Sequence, residues 1–253
     1  MSEQVGVLLR QWRERRRLSQ LALANQAEVS TRHLSCVETG KARPTSAMIL
    51  RLTEHLDVPL RERNALLLAG GYAPAYPEHG LDGPALRQVR ASLRQVLTGH
   101  EPYPAVLVDR GWNLLEANNA LLRLTEGAAA HLLRGPVNVL RLSLHPEGLA
   151  PRIANLDQWR GHVFARLRRQ IAATGDAALR ELLEELRRYP GGEAPAAPHD
   201  VVVPLCIRLG GVELRLFGIT AVIGAPHDVT VAELAIESFF PADPATAEAL
   251  RQG

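Results

Sequence analysis

Between Leu18 and Pro44 the chain reads LSQLALANQAEVSTRHLSCVETGKARP, two short helical runs with only a few residues between them. Ser19 is placed to cap a helix from Gln20 to about Ala27, with Leu21, Leu23 and Ala24 available to a core. Ser30 caps the next, and Gly40 ends it. Two helices joined by so tight a turn make a helix-turn-helix. The second helix has an apolar inner side, Leu34 and Val37, and a polar outer side. Ser30, Thr31, Arg32, Ser35 and Cys36 fall toward the outside, the first three at the N-terminal end. The major groove of DNA admits one helix and presents donors and acceptors on its base edges, which such residues can read. Gln20 opens the preceding helix, where backbone N–H groups and a side-chain amide can hold a phosphate. Lys41 and Arg43 follow the reader helix, in position for the DNA backbone. A small helical protein-interaction module is the alternative, since this geometry also occurs without DNA.

The flanking sequence completes a five-helix unit. Val5, Leu8, Leu9 and Trp12 share one helical face. Thr45 or Ser46 starts a fourth helix with Met48, Ile49, Leu52 and Leu56 apolar. Asp57 and Pro59 open a fifth, closed by Gly70 and Gly71. Residues 1–77 carry 11 Lys/Arg against 7 Asp/Glu, whereas the remainder carries 18 against 20. The small part is the basic part, which suits double-stranded DNA as its partner.

LSQxxLA followed by AxVSxxxLSxxExGxxRP resembles the repressor-type xenobiotic-response-element family of helix-turn-helix proteins. The resemblance covers residues 5–70. It implies that Gln20, Thr31, Arg32 and Cys36 face DNA, and that Arg13 and Glu38 form an internal ion pair. One position departs from the pattern: Glu28 stands in the turn where glycine is common. A positive φ there costs a non-glycine residue about 1 kcal/mol.

Composition changes after residue 71. Residues 72–84 are rich in Gly and Pro and are expected to be a linker. Residues 85–253 form a second domain. A helix is expected from Pro84 to about Leu97, then a hairpin, PAVLVD and WNLLEA around Arg110-Gly111. Asn118 or Asn119 caps the next helix, and helical segments cover 156–174 and 176–188. Three strands follow, VVVPLCIRL, VELRLFGITAVIG and roughly VAELAIESFF; Asp243 and Pro244 start a terminal helix. APHDVVV at 197–203 and APHDVTV at 225–231 repeat a His-Asp pair. A Pro-Xaa-Asp turn entering a strand explains both without catalysis. The fold class is therefore α+β: a five-helix repressor-type helix-turn-helix domain at 1–71, then a domain of antiparallel sheet and helices.

PAVLVDRGWNLLEANNALLRL resembles the opening of a PAS-type sensor domain. More specifically, the whole chain resembles the MmyB-like regulators, through VPLRERNALLLAGGYAPAYPE, VNVLRLSLHPEGLAPRIANLDQW and ELAIESFFPAD. That resemblance implies a PAS-like ligand-binding domain behind a DNA-binding head. A sheet curved over helices leaves an apolar cavity. Trp112, Trp159, Phe164 and Phe217 are candidates to line it, and Arg141, Arg160 and Arg166 to hold an acidic head group. The expected ligand is small and apolar or fatty-acid-like.

Other classes are disfavoured. No GxSxG, Walker loop, HExxH or metal cluster is present, so no catalytic residue, metal or cofactor is expected. Cys36 and Cys206 have no CxxC partner and suggest neither a zinc site nor a disulfide framework. No apolar run approaches bilayer length, and the start lacks a signal-peptide core. The expectation is a cytoplasmic homodimer with no membrane partner. The alternative is a DNA-binding repressor or antitoxin-like protein whose second domain only binds other proteins.

Overall fold

The computed structural model describes residues 2–195 and 201–252, with side chains from Val5 onward. The chain divides into two compact units. The first holds residues up to 79, together with residues 172–174 and 225–232; the second holds the rest.

Five helices make the body of the first unit: α1 (Ser2–Arg15), α2 (Gln20–Gln26), α3 (Thr31–Glu38), α4 (Ser46–His55) and α5 (Leu60–Ala69). Side-chain oxygens of Ser19, Ser30 and Thr45 cap α2, α3 and α4 by accepting backbone N–H bonds. Val5, Leu9 and Trp12 of α1 pack against Leu23, Leu34, Val37, Ile49, Leu52, Leu66 and Leu67. Gly6 is required where α1 meets α3, because a Cβ there would lie 2.1 Å from the carbonyl oxygen of Val37. Leu21 departs from expectation. It points to solvent at 59% exposure, since Leu23 and Ala24 already fill the inner face of α2. Residues read as linker are tied down too: Asn64 accepts from the N–H groups of Ala75 and Tyr76, and Tyr72 donates its hydroxyl to the Pro44 carbonyl.

The second unit is built on a five-stranded antiparallel sheet. Its strands are β1 (Ala105–Val108), β2 (Leu114–Ala117), β3 (Leu205–Leu209), β4 (Val212–Val222) and β5 (Ala235–Pro241), in the order β2-β1-β5-β4-β3. The β1–β2 turn is locked by the Asp109 carboxylate, which accepts from the N–H groups of Gly111 and Asn113. Gly210 and Gly211 supply the positive φ angles of the β3–β4 turn.

Side chains alternate across β1, and both of its faces are covered. Ala105 and Leu107 meet Leu93 and Leu97 of α6 (Arg87–Gly99). Val106 and Val108 meet the opposite layer: α8 (Val139–Leu144), α9 (Leu156–Thr174) and α10 (Ala177–Arg187). Asn118 caps α7 (Asn119–Leu124), and Asp243 bonds the Thr246 N–H at the start of α12 (Pro244–Gln252). The helix α8, capped by Asn138, was not foreseen.

The repeated His-Asp pair divides. His199 and Asp200 lie outside the described residues. The second copy does not enter a strand; it feeds the short helix α11 (Val229–Ala232). Asp228 caps that helix through the Val231 N–H at 3.1 Å and holds the His79 ring at 2.8 Å. Both carboxylate oxygens are thus engaged in backbone and side-chain bonds that fix the turn.

Candidate functional site

The reader surface rests on α2 and α3. Glu28, in the turn between them, has a φ of 52°, so the backbone adopts the conformation for which glycine is favoured. Val29 and Leu34 anchor the turn and α3 to the core, leaving Arg32 and His33 exposed and Thr31, Ser35 and Cys36 half-buried. Ser30 is exposed but already accepts from the His33 N–H at 3.1 Å. His33 was passed over in the sequence, although it lies beside Arg32 on the exposed side of α3. Arg32 and Lys41 are exposed and, among the described residues, have no ion-pair partner. Arg43 is less free: it donates to the Gly70 carbonyl at 3.0 Å and stacks on Tyr72.

A buried pair holds α1 to α3 behind this surface. Arg13 donates from Nε and Nη2 to the two oxygens of Glu38, at 2.7 and 2.8 Å, and from Nη1 to the Leu18 carbonyl. Arg13 is 8% exposed and Glu38 4%. Hydrogen bonding to Glu38 raises the Arg13 pKa further, so the guanidinium stays charged. Gln20 joins by donating its amide to Glu38 at 2.8 Å. The side chain at the start of α2 is thereby oriented from within, with its amide oxygen unused in that bond.

The second unit contains an apolar cavity of about 90 Å³ between the sheet and its helices. Val106, Leu205 and Phe239 line it from the sheet, Leu121 and Leu124 from α7, and Leu140 and Leu142 from α8. From α9 come Trp159, His162, Val163 and Arg166, spaced i, i+3, i+4 and i+7 on one face. Trp112 completes the wall. Its φ of 67° is unusual for a bulky residue. The indole is held in place by an Nε1 bond to Gln170 at 2.8 Å and by the Arg166 guanidinium, 4.3 Å above the ring.

The polar groups gather at one side. Arg166 binds the buried Glu237 carboxylate through both terminal nitrogens, and Thr220 donates to the same carboxylate at 2.6 Å. His162 stacks on Trp159. Burial, and then the charge of Arg166, push the His162 pKa down, so the ring is neutral near pH 7. A second, more polar chamber of about 310 Å³ shares Trp159, His162, Arg166, Glu237 and Phe239 and reaches Val201–Val203. An apolar interior thus meets a charged mouth.

The other sequence candidates lie elsewhere. Arg141 is spent on Glu185, with two bonds of 2.8 Å, and does not line the apolar cavity. Arg160 is buried rather than solvated: it donates from Nε to the Gly192 carbonyl and stacks on Phe164. Phe164 is 1% exposed within the packed core. Phe217 stacks on Phe240 along the sheet. None of these last three lines the cavity.

Two family models match the chain. A helix-turn-helix domain model matches residues 4–66, and the model of the MmyB-like transcription regulator ligand binding domain matches residues 89–252. Among curated proteins no match is found. Solved structures with similarity include the following two. The restriction-modification controller protein C.AhdI from Aeromonas hydrophila is 31% identical over 24% of this chain and 92% of its own, with a TM-score of 0.23. An RNA-binding Light-Oxygen-Voltage receptor is 15% identical, with 99% of this chain and 62% of that one covered and a TM-score of 0.29. Among the described residues no helix is long and apolar enough to cross a membrane. The family match over residues 89–252 spans more than half of the chain and coincides with the sheet domain and its cavity, so the protein belongs to the MmyB-like transcription regulators.

Proposed function

We propose that this regulator reads double-stranded DNA with the exposed side of α3 and alters its DNA affinity when a small, mainly apolar molecule enters the sheet domain. The observation that carries the ligand half is the apolar cavity with its polar side at Arg166, Glu237 and His162. A fatty-acid-like molecule suits that arrangement: the chain lies among leucines and tryptophans, and the head group lies toward the polar outer chamber. Trp112 and Trp159 sit in the wall, so a bound chain is expected to change their fluorescence. A saturable change on titration with straight-chain fatty acids supports the reading; no change with any chain length contradicts it.

For DNA, Arg32 supplies the guanidinium that pairs bidentately with guanine, Lys41 and Arg43 contact phosphates, and Gln20 does so through its second amide N–H and the backbone N–H groups at the start of α2. Ser30, Thr31, Ser35 and Cys36 fill the groove around Arg32. One head covers one half-site, and a homodimer formed through residues beyond 71 presents two heads about one helical turn apart. Arg32→Ala is expected to weaken binding to the selected site by about 1–3 kcal/mol and to relax preference at one base pair. Selection from random duplexes followed by titration measures both, and unchanged affinity and preference remove Arg32 from base reading.

A further inference from the structure

Three donor side chains outside both surfaces converge at one corner of the second unit. His131 lies in the 3₁₀ turn Ala130–Leu133, His145 follows the last turn of α8, and Glu147 comes two residues later. One ligand atom from each lies within 4.8 Å of the other two. We propose that His131, His145 and Glu147 bind a divalent transition metal of the zinc type.

The backbone brings the donors together. Ala129 donates its N–H to the Glu147 carbonyl at 2.8 Å, and Gly148 to the His145 carbonyl at 2.9 Å. These bonds stitch the 3₁₀ turn to the segment after α8. The His145 ring stands edge-on between His131 and Tyr189, with centroids 5.6 and 5.0 Å away. Its Nδ1 accepts from the Glu147 N–H at 3.1 Å, so that lone pair carries no proton. An ion can take it at the cost of one exposed backbone bond.

Chemistry selects the metal. Two imidazoles and one carboxylate match zinc with three protein ligands and a water, whereas calcium and magnesium favour oxygen donors throughout. Donors around a tetrahedral ion of this kind stand about 3.5 Å apart. His131 Nε2 and Glu147 Oε2 are 4.0 Å apart, and both side chains are more than half exposed, so small rotamer changes close the set. The nearby positive charge of Arg141 is matched by Glu185, to which Tyr189 also donates. A bound ion would fasten the loop after α7 to the end of α8, and both helices wall the apolar cavity.

Calorimetric titration of the full chain with zinc chloride in a non-chelating buffer tests this, with His131→Ala, Glu147→Gln and Cys36→Ser alongside. His131 is largely exposed, so its alanine variant is expected to fold. The expected result is one site per chain, weakened about tenfold or more by His131→Ala and by Glu147→Gln and unchanged by Cys36→Ser. Zinc should also slow amide exchange in residues 129–148. No binding, equal binding by wild type and His131→Ala, or loss only in Cys36→Ser overturns the proposal.

Discussion

Glu38→Ala should unfold the helix-turn-helix unit far more readily than wild type. The substitution leaves the Arg13 guanidinium buried without its carboxylate, and the Gln20 amide loses its acceptor as well. An uncompensated buried charge of this kind costs about 3–5 kcal/mol. A domain's total stability is commonly about 5–15 kcal/mol, so most of the five-helix unit's margin would disappear. Urea unfolding followed by circular dichroism reads the shift. The companion variant, Arg13→Met with Glu38→Leu, replaces the pair by apolar groups and should recover much of the loss, because it removes both desolvated charges. An unshifted transition in Glu38→Ala means that the pair does not hold α1 to α3.

Phe164→Ala should damage the second unit to a similar degree. Phe164 is among the largest fully buried side chains, packed with Val163, Leu167 and the leucines of α10. Removing its ring leaves a void and unsupported neighbours, at a cost of about 3–5 kcal/mol. The variant also separates two roles that the sequence does not. Phe164 lies one position away from the cavity-lining stripe of α9, so ligand affinity of the folded protein should survive. Loss of ligand binding with unchanged stability would make Phe164 a ligand contact and place the binding chamber elsewhere.

That distinction shows where the sequence is informative. The helix-turn-helix was legible because short-range chemistry marks its boundaries: Ser19 and Ser30 cap, Gly40 terminates with a φ of 73°, and the outer face of α3 is polar throughout. The hairpin around Arg110-Gly111 and the cap at Asn118 were legible for the same reason. The side chains that bound the cavity are set by tertiary geometry. On α9 the difference between Trp159 and Arg160, or Val163 and Phe164, is one residue of helical rotation, about 100°. The signal was present as the i, i+3, i+4, i+7 stripe of Trp159, His162, Val163 and Arg166, yet the neighbouring stripe is equally plausible without knowing where the sheet lies. Leu21 failed for a related reason, since hydrophobic residues are not all needed inside. Short α8 escaped because six residues carry too little periodicity, and its Asn138 cap sits in a segment otherwise marked by glycine and proline.

The cavity and the reader helix are expected to be thermodynamically linked, so that a fatty-acid-like molecule changes how tightly the protein holds DNA. The direct measurement is titration of one selected duplex into full-length protein, stripped of ligand and then saturated with a fatty acid shown to bind. The two DNA affinities should differ by about 5–150-fold, and the duplex should shift the fatty acid's affinity by the same factor, because coupling is reciprocal. Equal DNA affinities with every fatty acid that binds would contradict the claim and leave the cavity a structural feature of a constitutive DNA-binding protein.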